Sequence, residues 1–141
     1  MSYSDINDQK NEIPFETIRQ LVDDENAGSL TNEQVLARFN QIRDESDGEM
    51  DGFFSIGGYA VPIAVVDPLI RSWSKGITAY KLYKRKDIMP ETRQREFDRI
   101  MRLLEKIGQG TFKLPGQAQA DTAAETGLGI SVIENTRFSS T

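Results

Sequence analysis

Apolar residues recur at helical spacing through the middle of this chain and at no regular spacing near its ends. Phe15, Ile18, Leu21 and Val22 share one face of a short helix predicted over about residues 15–23. Thr31, with Gln34 three residues later, has the pattern of a capping box. It opens a second helix predicted over about residues 32–56, with Val35, Leu36, Phe39, Ile42, Met50, Phe53 and Phe54 as its apolar face. The middle of that helix, residues 43–49, is strongly charged and holds Gly48, which predicts a bend or break there. Gly57-Gly58 stops it. Asp67-Pro68 supplies an N-cap and a first-turn proline for a third helix, running to about Lys86. Its buried stripe is read as Leu69, Ile70, Trp73, Ile77, Tyr80 and Tyr83. Pro90 opens a fourth helix, about residues 91–107, with Phe97, Ile100, Met101, Leu104 and Ile107 on one face and Gly108 as its end signal. Trp73, Ile77, Phe97, Met101 and Leu104 are expected to pack together, because the connection between the last two helices is short.

The ends lack this periodicity. Residues 1–14 are polar and read as a flexible N-terminal arm. Residues 15–113 form the helical domain. Residues 114–141 begin LPGQAQADTAAETGLG, too poor in large apolar side chains to build a core, and read as an extended C-terminal arm. Within it Ile130, Val132 and Ile133 are suited to adding as a strand to another protein's sheet edge. The expected fold is all-α: a small bundle of about four helices with extended arms at both ends.

Composition removes several chemistries. The 141 residues include no Cys and no His, so there is no disulfide framework or thiolate metal site, and no imidazole base. No apolar run reaches the roughly 18–20 residues that a membrane-spanning helix needs, and the acidic, polar N-terminus is unlike a secretory signal. No nucleophile with a base partner and no phosphate-cradling glycine loop is visible, so the chain is read as non-enzymatic and without cofactors. The acidic stretch Asp23–Ser29 departs from a calcium loop: Ala27 has no side-chain oxygen for the fifth position, and Gln34 cannot act as the bidentate twelfth ligand. It reads as a solvated loop leading into the next helix.

Charge is distributed unevenly. Residues 1–60 hold 13 acidic and 4 basic residues, whereas residues 61–115 hold 6 acidic and 12 basic. One reading pairs these elements within a subunit. The other sets an acidic face with Asp44, Asp47 and Glu49 against a basic face with Arg93, Arg95, Arg99 and Arg102 of the next copy. The acidic run Asp44, Glu45, Asp47, Glu49 and Asp51 reads as a solvent-facing surface or, alternatively, as a channel lining along which DNA slides without sticking. The basic helix pair over residues 81–102 supports an alternative reading as a small DNA-binding or regulatory module.

Several segments in order carry a resemblance: Met50-Asp51, Phe53-Phe54, Gly57-Gly58-Tyr59 and Pro62; then Ala79-Tyr80-Lys81-Leu82-Tyr83; then a charged amphipathic helix ending near a glycine; then Arg137-Phe138-Ser139 close to the end. In this the chain resembles the head–tail connector (adaptor) family of Mu-like tailed bacteriophages. Gly58 stands where that family has an arginine. The resemblance implies a structural subunit in a ring of about twelve copies. It implies a place in the neck of the virion, assembled in the host bacterial cytoplasm, between the portal and a stopper or tail-completion protein, with DNA passing through the channel. It further implies that the C-terminal arm docks on the portal, with Ile130, Val132, Ile133, Arg137 and Phe138 as its anchors.

Overall fold

A computed structural model describes residues 2–25, 28–115 and 117, and among them are five α-helices and no strand. They are α1 (Ile6–Gln9), α2 (Phe15–Val22), α3 (Asn32–Ile56), α4 (Pro68–Lys84) and α5 (Glu91–Gln109). The fold is an all-α small bundle.

Local chemistry sets most of the boundaries. The Thr31 hydroxyl accepts the Gln34 N–H, and the Gln34 side chain accepts the Thr31 N–H, which closes the capping box at the start of α3. The Asp67 carboxylate accepts the N–H groups of Leu69 and Ile70 at the start of α4, with Pro68 in the first turn. Gly57 caps α3, and Gly58 follows at φ +93°, in the region that favours glycine. Two boundaries differ from expectation. The α3 helix passes unbroken through Gly48, held by burial of Ile42, Met50 and Phe54 on either side. The α5 helix runs through Gly108 to Gln109, and the left-handed residue that ends it is Gly110, at φ +81°.

Helices α3, α4 and α5 pack against one another in turn. The early part of α3, at Val35 and Phe39, shares a buried cluster with Ala79 and Leu82 late in α4, and the later part, at Met50 and Phe54, shares one with Ile70 and Trp73 early in α4, so these two run antiparallel. Tyr80 stacks on Phe97 with ring centroids 3.7 Å apart, and a Cβ on Gly76 would meet Ile100, so α4 and α5 also run antiparallel. One buried cluster joins Met50, Phe54, Trp73, Ile77, Ile100 and Leu104, with Phe97 and Met101 packed against it, as the stripe spacing predicts. A second joins Ile18, Val22, Val35, Phe39, Ala79 and Leu82 between α2, α3 and α4. Leu36, expected on the apolar face, is instead exposed.

The largest departure is at the N-terminus. The segment expected as a flexible arm over residues 1–14 is packed onto the bundle from residue 3. Tyr3 lies in the first cluster and Ile13 in the second, both essentially without exposure, and α1 between them is closed by a reciprocal Asp5–Asp8 capping box. The signal for this is long-range. Tyr3 meets residues more than forty positions away, which local composition does not report.

Candidate interaction surfaces

The N-terminal segment is held by a buried polar network drawn from four parts of the chain. The Tyr3 N–H donates to Asp47 Oδ2 at 2.9 Å, and the Tyr3 hydroxyl donates to Asp51 while accepting the Ile63 N–H at 2.8 Å. The Ser74 hydroxyl donates to Asp47 Oδ1 at 2.7 Å and shares a 2.6 Å contact with Ser4 Oγ. Arg43 donates to the Ser4 carbonyl at 2.9 Å and lies 3.8 Å from Asp47. Burial, together with the hydrogen bond to the Asp51 carboxylate, pushes the Tyr3 hydroxyl well above the usual phenol range. Burial also raises the Asp47 carboxyl above its ordinary value, although Tyr3, Ser74 and Arg43 all pull it down. These groups satisfy one another and tie elements together. Tyr3, Ser4, Asp51 and Ser74 in this role were not singled out from the sequence.

This network relocates one residue expected at a subunit contact. Asp47 is buried inside the subunit, so its carboxylate faces Tyr3 and Ser74 rather than solvent. Other charges are engaged within the chain but remain at the surface. Glu49 pairs with Lys81 at 2.7 Å. Arg93 pairs with Glu12 at 3.0 Å, and Glu12 also holds Lys75 at 2.9 Å. Burial alone would raise the Glu12 carboxyl, but hydrogen bonds from Lys75 and Arg93 outweigh it and hold the group below its ordinary value. Arg85 pairs with Asp24 and Lys86 donates to the Asp23 carbonyl. The Asp23 carboxylate accepts the Gly28 N–H at 2.7 Å, closing the acidic loop.

Four expected contact residues stay on open surface. Asp44 is exposed and touches Arg43 at 2.9 Å. Arg95 is exposed beside Glu91 at 2.6 Å, and Arg99 is exposed with Glu96 at 3.8 Å. Arg102 is likewise exposed on α5. Together with Glu96 and Asp98 these arginines line a shallow depression of about 350 Å³ along the helix. Tyr80 and Tyr83, expected in the buried stripe of α4, are half-buried, and Tyr80 is covered by Phe97.

The loop between α3 and α4 forms a different kind of surface. From Ile56 to Val66 it carries no charged residue, and Ile56, Val61 and Val65 are exposed. The chain leaves α5 beside this loop: the Leu114 N–H donates to the Tyr59 hydroxyl at 2.9 Å, and the Gln117 amide donates to the Val65 carbonyl at 2.6 Å. The C-terminal anchors Ile130, Val132, Ile133, Arg137 and Phe138 lie outside the described residues. No group of acidic side chains among the described residues is arranged to hold a metal ion, and no helix among them is long and apolar enough to cross a membrane.

The model of the protein family described as Bacteriophage Mu, Gp36 matches residues 3–132, nearly the whole chain. No curated protein matches.

Proposed function

The chain belongs to the bacteriophage Mu Gp36 family, and on that premise we propose that it is a structural, non-enzymatic protein of the phage neck: a head–tail connector that assembles into a ring between the portal and the stopper or tail-completion protein. The observation that carries this reading is the family match across residues 3–132 on a bundle whose buried polar side chains mostly tie its own elements together. Tyr3, Arg43, Asp47 and Ser74 all spend their hydrogen bonds on the fold. Copies would number about twelve and meet through a heterologous contact that closes into a ring. DNA would pass through the channel without being recognised, and the C-terminal arm would dock on the portal.

The alternative of a DNA-binding module loses support from the charge pairing. Of the cations on residues 81–102, Lys81, Arg85, Arg93 and Arg95 have carboxylate partners within the chain, so fewer remain to neutralise phosphates.

The test is to make particles from a phage in which this chain is absent. Filled heads and free tails should accumulate unjoined, and purified wild-type particles should contain the chain in a fixed ratio to portal. Joined, infectious particles made without it would sink the reading.

A further inference from the structure

Two helix faces carry little load inside the subunit and complement each other in charge and relief. The outer face of α3 presents Ala37, Asp44, Glu45, Gly48 and Gly52, all exposed. A Cβ added at Gly48 or Gly52 would meet nothing within 4 Å. Nothing inside the subunit therefore requires glycine at either position, and glycine weakens a helix interior relative to alanine. What the two glycines do create is a notch without side chains, four residues long and about 6 Å along the axis. Asp44, whose Oδ1 already takes Arg43, and Glu45 stand at one end of it.

The outer face of α5 is the converse. Arg95, Arg99 and Arg102 are exposed at i, i+4 and i+7, a ridge of long cationic side chains on one stripe of the helix. Arg95 is held by Glu91 at 2.6 Å, but the other two have capacity to spare. Arg99 reaches Glu96 only at 3.8 Å, and no ion pair within the described residues engages Arg102.

We infer that a second copy of this chain lays the Arg95–Arg99–Arg102 ridge of its α5 into the Gly48–Gly52 notch of α3, with the guanidinium groups on Asp44 and Glu45. The inference rests on the proposed reading of the chain as a ring subunit, and it names the contact between subunits. Small residues let a helix approach closely, and planar guanidinium groups bind carboxylates through paired donors. The two faces belong to different helices of one subunit, so every copy offers one ridge and one notch. Such a contact is heterologous, and its repetition closes into a ring where the rotation allows.

The experiment measures the mass of the full chain in solution at low salt, by sedimentation or native mass spectrometry. The wild-type chain should form multimers that weaken as salt rises, because exposed charges are screened over about 8 Å at physiological ionic strength. Gly52→Gln fills the notch with a good helix former that points to solvent. Its monomer should melt no lower than wild type, while association falls by about tenfold or more. The double change Arg99→Glu and Arg102→Glu should weaken association similarly, and adding Asp44→Lys and Glu45→Lys in the same chain should restore part of it.

A wild-type chain that stays a single copy in solution overturns the inference. So does a Gly52→Gln chain that associates like wild type. If the Arg→Glu chain associates normally but loses binding to duplex DNA, the ridge faces nucleic acid and the inference also fails. Failure of the contact is separable from failure of the proposed function. The former leaves the chain in joined particles, whereas joined, infectious particles that lack it defeat the latter.

Discussion

Asp47 sits where the N-terminal segment, α3 and α4 meet, and its carboxyl is raised because burial disfavours the charge more than its donors favour it. An acid whose folded value exceeds its unfolded value is destabilising once ionised. Its contribution therefore improves as pH falls through the folded value, and the improvement is complete below the unfolded one. Glu12 works in the opposite direction. Lys75 and Arg93 hold it low, so it stabilises at neutral pH and that support is lost as pH falls through its depressed folded value. Asp47→Asn keeps one acceptor, for the Tyr3 N–H, turns an amide donor toward the Ser74 hydroxyl, which can accept, and removes the charge. The stability of wild type minus that of Asp47→Asn, from urea unfolding, should rise as pH is lowered from neutral toward the usual carboxylate range. A pH-independent difference would show that the Asp47 carboxyl is not raised. The position was legible in part. Stepping in fours from Ile42 to Ser46 and Met50, and from Arg43 to Asp47, runs along the apolar stripe. An acidic run that reads as a surface therefore contains one member on the inner face. The partner that makes its burial tolerable, the Tyr3 N–H, lies 44 residues away and has no signature in local pattern.

At the scale of elements, the four longer helices were legible because their apolar residues keep helical spacing and three of them begin with punctuation that has a mechanism. Thr31 with Gln34, Asp67 with Pro68, and Pro90 before α5 mark three of the starts, and α2 shows in the spacing of Phe15, Ile18, Leu21 and Val22. The α1 helix was not legible. It has four residues, one of them apolar, and its box uses Asp8 where glutamate or glutamine would be the usual signal. Glycines show the limit of sequence reading most clearly, since the same residue type serves opposite purposes. Gly76 lies where α4 and α5 cross, and a Cβ there would come within 2.5 Å of Ile100 Cδ1. Gly76→Ala should therefore lower stability by about 1–3 kcal/mol through overpacking, less what alanine returns in helix propensity. At Gly52 the space is open, and Gly52→Ala should raise the stability of the single subunit by about 0.5–1 kcal/mol. Urea midpoints of the two variants should move in opposite directions. A shift of the same sign in both would mean that the helix crossing is looser than the structure places it.

Across the whole molecule the two termini play unequal parts, although both read as arms in the sequence. Residues 2–13 are part of the fold: Tyr3 and Ile13 belong to separate buried clusters, and Glu12 pairs with both α4 and α5 through Lys75 and Arg93. At the other end, the last strongly buried described residue is Leu114, and Gln117 adds a hydrogen bond to the Val65 carbonyl. Cutting the chain after Gln117 therefore leaves every described contact in place. It removes Ile130, Val132, Ile133, Arg137 and Phe138, which are suited to gripping a partner rather than completing this bundle. A single arm that must be ordered on binding pays entropy and holds weakly, but a ring of arms raises effective concentration and holds tightly. The truncated chain should keep its helical content and nearly its full thermal midpoint, whereas a chain lacking residues 2–13 should melt well below wild type. In infected cells the C-terminally truncated chain should be lost from particles, and heads should fail to join tails. Truncated protein that still enters infectious particles would show that the C-terminal segment is not the anchor to the portal.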